Sequence, residues 1–159
     1  MTTAFCWSDQ FLLGYSPMDA THKEFVACVA ALQAATEAEL PARLDALAQH
    51  CAQHFQQEEE WMASTGFPAA QCHADEHAAV LRSVREVQAM CVASSHAESV
   101  SAVVRNLARA LIDWFPGHAD YMDAALAHWM VKRTLGGIPV VLRRGVAHAS
   151  PLPDTPALG

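Results

Sequence analysis

The chain has 159 residues, 52% of them hydrophobic, and a formal net charge of −7; that suits one domain around a single buried core. Four of its cations, Lys132, Arg133, Arg143 and Arg144, sit late in the chain, so the more acidic body is expected to repel nucleic acid and anionic lipid. No apolar run approaches the roughly 20 residues that cross a bilayer, and the start MTTAFCWSDQ lacks a basic segment followed by an apolar one, so a cytoplasmic protein without membrane contact is expected.

The cysteines, Cys6, Cys28, Cys51, Cys72 and Cys91, are odd in number and have no CxxC spacing. That favours reduced thiols over a disulfide framework or a zinc knuckle. Strand signals are nearly absent, and four stretches carry helical character, with apolar residues three and four apart. Helix A is expected to start with Ser16 as N-cap, Pro17 in the first helical position and Asp19 completing a capping box, and to run to about Glu39. Helix B takes over near Pro41 and stops at Gly66. Helix C begins around Pro68 and runs to about Ala93, after which the polar SSHAES segment turns the chain.

Helix D extends from about Ser99 to Thr134. Pro116 removes a backbone donor and clashes with the carbonyl of Ile112, so a kink or restart is expected near Trp114 to Gly117. Short connections make sequential helices antiparallel neighbours, which gives an all-α, up-down-up-down four-helix bundle over residues 1–134. Residues 135–159, an apolar IPVVL followed by Pro-rich sequence, read as a partly ordered tail.

Each helix carries a histidine that bundle packing alone would not require. Helix A has His22. Helix B has His54 and Glu58, and helix C has His73 and His77, each pair four residues apart. Four residues make one turn plus about 40° of rotation, so both groups of a pair point to one spot. Helix D has His118 and Asp123, whose five-residue gap puts them on different edges of one face and suits ligands serving different positions of a metal pair. These imidazoles and carboxylates would be costly to bury without a metal, at several kcal/mol for an unpaired charge.

Glu59 and Glu60 rotate about 100° and 200° away from the His54 face, leaving Glu58 as its partner. Asp19 either caps helix A or orients His22. Asp75, Glu76 and Asp120 are expected to be solvated, and His50, His96, His128 and His148 to be surface or hydrogen-bonded core residues. Phe25, Phe55, Trp61, Met62, Leu81, Trp114 and Met122 fall within a turn or two of the candidate ligands and are expected to form core, with a dry pocket compatible with that packing. No base, nucleophile or substrate-binding motif accompanies the set.

The order H, HxxxE, HxxxH, HxxxxD resembles the hemerythrin family in its bacterial single-domain form. The segments FCWSDQ, MDATHKEF, HFQQEEEWM, GFPAAQCHADEH and HADYMD resemble the family's pattern around every ligand, over roughly residues 5 to 130. The resemblance implies a non-haem di-iron centre. In it His73, His77 and His118 bind one iron, His22 and His54 the other, and Glu58 and Asp123 bridge both with an oxo or hydroxo group. It also implies a five-coordinate second iron that takes dioxygen at its vacant position.

Residue chemistry points the same way. Imidazole suits divalent iron, and bridging carboxylates hold two cations close together. Ferritin-type oxidase sites use four carboxylates with Glu-x-x-His pairs, whereas a histidine-rich, carboxylate-poor set suits reversible binding. The expected function is therefore reversible oxygen binding for storage, delivery or sensing, by a monomer or weak homo-oligomer that is not an enzyme. A di-iron enzyme handling peroxide or nitric oxide, or an iron-donating protein, would use the same seven side chains.

Overall fold

In the computed structural model of the chain, which describes residues 3–94, 96–134 and 136, a short 3₁₀ turn at Asp9–Phe11 leads into α1 (Ser16–Ala34). Tyr15, in extended conformation, is the N-cap, and Pro17 lies in the first turn, where no intrahelical partner awaits its missing N–H. Ser16 is already helical and makes no cap. Asp19 instead turns back to accept hydrogen bonds from the backbone N–H of Leu13 at 2.8 Å and of Gly14 at 3.1 Å. Its carboxylate thus ties the entry segment to the helix rather than orienting His22.

α1 ends at Ala34, short of the expected Glu39. Thr36 donates its backbone N–H at 2.9 Å and its hydroxyl at 2.7 Å to the Glu39 carboxylate, which holds the chain in a turn before the next helix instead of extending the first. Arg105 donates to the carbonyls of Gln33 and Ala35, both at 3.1 Å, and so occupies acceptors exposed at the α1 C-terminus.

α2 spans Leu40–Thr65 and stops, as expected, at Gly66, whose φ of +66° carries the chain through a left-handed turn. α3 spans Ala70–Ala93 and α4 spans Ala97–His118. Pro116 does not restart the helix. The departure from α geometry falls on its C-terminal side, in a π-helical turn at Ala119–Asp123, where the Ala124 N–H donates to the Ala119 carbonyl five residues back. α5 (Ala124–Thr134) continues the same rod, so α4, the π turn and α5 make the single fourth helix expected between Ser99 and Thr134.

Each helix packs on the next, and α4 returns against α1, closing a four-helix bundle. Its interior falls into two apolar clusters. One gathers Phe25, Val29, Leu32, Leu44, Leu47, Phe55, Leu111 and Phe115; the other gathers Tyr15, Met18, Met62, Leu126 and Met130. Burial of each such side chain contributes about 1.5–3 kcal/mol. Between the two clusters lie the polar positions of every helix, because His22 falls between Met18 and Phe25, Glu58 between Phe55 and Met62, and Asp123 between Ala119 and Leu126. No helix among the described residues is long and apolar enough to cross a membrane. The tail expected at residues 135–159 lies outside the described residues apart from Gly136.

Candidate metal centre

The seven side chains singled out by sequence meet in one place. His22, His54, Glu58, His73, His77, His118 and Asp123 are each at most 4% exposed. His54 and Glu58 sit one turn apart on α2, with Nε2 and Oε1 2.9 Å apart. His73 and His77 repeat that spacing on α3, and their Nε2 atoms each lie 3.2 Å from Nε2 of His118. His118 ends α4 and Asp123 ends the π turn, yet His118 Nε2 and Asp123 Oδ1 are only 3.1 Å apart. The wider π winding draws together two residues whose five-residue spacing would diverge on an α-helix.

Both carboxylates divide their oxygens between two groups of histidines. Glu58 Oε1 lies 2.9 Å from His54 Nε2 and 3.4 Å from His22 Nε2, while its Oε2 lies 3.3 Å from both His73 Nε2 and His77 Nε2. Asp123 Oδ2 lies 3.1 Å from His22 Nε2, while its Oδ1 lies 2.9 Å from His73 Nε2 and 3.1 Å from His118 Nε2. Two donor groups result: Glu58, His73, His77, His118 and Asp123 form one, and His22, His54 and Glu58 the other.

Short as these separations are, Glu58 Oε2 and both oxygens of Asp123 make no hydrogen bond of acceptable geometry. Polar atoms left without aligned partners are costly in a buried site unless a cation lies between them. Two nitrogens bound side by side to one cation at about 2.1 Å are about 3 Å apart, which is near the imidazole spacings here.

Among themselves the groups form a dense charge network. Burial disfavours an imidazolium at His22 and His73, but the Asp123 and Glu58 carboxylates outweigh it and push both up to about 9. Burial also opposes ionisation of Glu58 and Asp123, and Asp123 is opposed further by the Glu58 charge, yet the surrounding imidazoles hold both carboxyls below the usual range. Burial lowers His77 in spite of Glu58.

The aromatic surroundings partly match expectation. Phe55 stacks on His77 at 4.1 Å and 9°, and Trp114 stacks on His118 at 4.4 Å and 27°. Phe25 lies 6.1 Å from His54, whereas Trp61 packs away from the histidines against Tyr15 at 5.1 Å. Phe115, which sequence reasoning passed over, packs edge-on to His22 at 5.3 Å and stacks on Phe25 at 5.0 Å. Its position three residues before His118, on the same helical face, was the available signal. Leu81 packs against the first apolar cluster and Met62 belongs to the second.

Glu76 also differs from expectation. It is only partly exposed, accepts a hydrogen bond from Trp114 Nε1 at 2.8 Å and lies 3.2 Å from His118 Nδ1; Asp75 and Asp120 are exposed as expected. His50 packs beside His54 with ring centroids 5.5 Å apart. Burial, reinforced by neighbouring imidazoles, lowers it to about 4. His96 and His128 are exposed, and His148 lies outside the described residues.

The family model of the hemerythrin HHE cation binding domain matches residues 13–129. A bacteriohemerythrin of Ralstonia nicotianae (strain ATCC BAA-1114 / GMI1000) is 35% identical over 127 residues, which cover 80% of this chain and 89% of that protein.

Proposed function

The chain belongs to the hemerythrin HHE family, and from that premise we propose that it holds two iron ions and binds dioxygen reversibly, for storage, delivery or sensing. The observation that carries the proposal is the division of the Glu58 and Asp123 oxygens between two histidine groups. A single cation would need one such group; two carboxylates that each face both groups suit a bridged pair.

In this reading His73, His77 and His118 would hold one iron and His22 and His54 the other, with Glu58 and Asp123 serving both. The donor set fits: imidazole nitrogens and buried carboxylate oxygens without aligned hydrogen bonds are what a divalent cation would use, displacing the protons held at His22 and His73. An iron pair held in this way supplies reversible two-electron exchange with a diatomic ligand.

The protein's own contribution is to fix the donors and keep the site dry. The His22 and His54 rings are flanked by Phe25, Phe55 and Phe115, all at most 2% exposed. Those rings exclude water, and with it protons, from the half that carries fewer protein donors. The bundle over residues 1–134 is the proposed oxygen-binding unit, independent of the tail.

The test is to count iron in the purified protein, reduce it and add oxygen. A visible charge-transfer band that appears with oxygen, vanishes under vacuum and returns is the expected result. Rapid irreversible bleaching with release of hydrogen peroxide would instead favour an enzyme or stress-response role. Fewer than about two irons per chain would remove the basis of the site.

A further inference from the structure

Among the described residues outside the seven donors, two acidic side chains approach a donor ring from behind, Glu59 and, closer, Glu76. Glu76 precedes His77 by one residue on α3, and the helical rotation of about 100° per residue turns it away from the donor face, toward α4. Its Oε1 accepts from Trp114 Nε1 at 2.8 Å and stands 3.2 Å from Nδ1 of His118. Trp114 stacks on the same imidazole at 4.4 Å. His118 Nδ1 is buried and has no aligned hydrogen-bond partner; Glu76 Oε1, 3.2 Å away but off the N–H line, is the acceptor within reach. On the other side of the ring, Nε2 faces His73, His77 and Asp123.

A neutral imidazole donates from one nitrogen and offers a lone pair on the other. For the Nε2 of His118 to offer its lone pair inward, the proton must sit on Nδ1, where it needs an acceptor. A carboxylate in that place fixes the tautomer and the ring plane and raises the basicity of the opposite nitrogen. The Trp114 hydrogen bond in turn restrains the Glu76 rotamer. Glu59 does not do the same for His77: its Oε1 is 3.6 Å from Nδ1, and its side chain is 46% exposed. At His22 and His54 no acidic side chain reaches Nδ1 among the described residues.

We propose that Glu76, held by Trp114, is a positioning residue that locks His118 as the Nδ1–H tautomer and strengthens the three-histidine half of the site alone. The inference rests on the reading of His118 as an iron donor. Its test compares wild type with Glu76→Ala, Glu76→Gln and Trp114→Phe in the full chain, using Fe(II) uptake against a competing chelator and, in the Co(II)-loaded protein, the exchange rate of the paramagnetically shifted His118 N–H proton.

Glu76→Ala should weaken one of the two metal equivalents by about 10–100-fold and speed that proton's exchange. Glu76→Gln, which keeps a carbonyl acceptor, should restore much of both, and Trp114→Phe should fall between. A merely structural role would lower the unfolding midpoint of the metal-free chain and leave the exchange rate unchanged, an outcome that overturns the proposal. So does a Glu76→Ala protein that loads both equivalents like wild type. If wild type itself takes up no iron, the site reading fails first and the inference goes with it.

Discussion

The two halves of the site are built from the same residue types and supported differently. On the three-histidine side, His118 is backed by the Glu76 carboxylate and the Trp114 ring, and His77 lies flat against Phe55. On the two-histidine side, His22 and His54 are bordered by Phe115, Phe25 and His50. One half gains polar support and nearly a full set of protein donors, whereas the other gains apolar walls and fewer donors. A metal pair placed across that gradient would have a closed member, held for structure, and an open member, available to an exogenous ligand.

The largest effect should come from the residue both halves share. Glu58→Gln keeps the volume but replaces a bridging carboxylate with an amide, and affinity for both irons should fall by about 100-fold or more, beyond what is typical for a supporting group. Iron per chain after equilibration with a chelator checks this, and retention of one tight iron would show that Glu58 serves a single half. His54→Ala separates the halves. Its side chain faces Glu58 Oε1 and no oxygen of the other group, so one iron equivalent should be lost and the other kept within about tenfold. Loss of both would mean that the halves load only together.

Phe55→Ala probes what joins them, since that ring touches both His54 and His77. Truncating an aromatic side chain that is 2% exposed should destabilise the chain by about 3–5 kcal/mol, read from urea unfolding. Iron stoichiometry should survive at low temperature. If stability falls by under 1 kcal/mol, the two halves do not share a rigid wall.

The sequence disclosed a donor pair in each half more readily than what surrounds them. His54 with Glu58, and His73 with His77, were legible because a four-residue spacing has a fixed meaning on an α-helix. The fold followed from four apolar periodicities and from Gly66. Glu76 reads as solvated in the sequence because its hydrogen-bond partner is Trp114, 38 residues away, a pairing that no local pattern encodes. Asp19 was ambiguous for a related reason: its partners, the N–H groups of Leu13 and Gly14, belong to a segment with no periodic signal. The early end of α1 lies in the turn that Thr36 makes with Glu39, hidden inside an Ala- and Glu-rich stretch that reads as helix.

Pro116 offers the smallest and most selective test. A five-residue step on an α-helix rotates a side chain by about 500°, leaving it about 140° off the starting face, so His118 and Asp123 would point apart on a regular helix. The π turn at Ala119–Asp123 removes that divergence. The spacing of the two donors is therefore reason enough for the turn, and the proline two residues upstream of His118 need not cause it. Pro116→Ala would return an N–H donor to the Ile112 carbonyl. The gain, up to about 3 kcal/mol in a straight helix, is offset by about 0.4–1 kcal/mol from a freer unfolded chain, so a net stabilisation of about 1–2 kcal/mol is expected, with iron content unchanged. If Pro116 were instead what maintains the π turn, the variant would relax toward α geometry and swing Asp123 away from His22. Stability would then rise while iron binding fell, and comparing urea midpoints with iron counts on the same preparation tells the two cases apart.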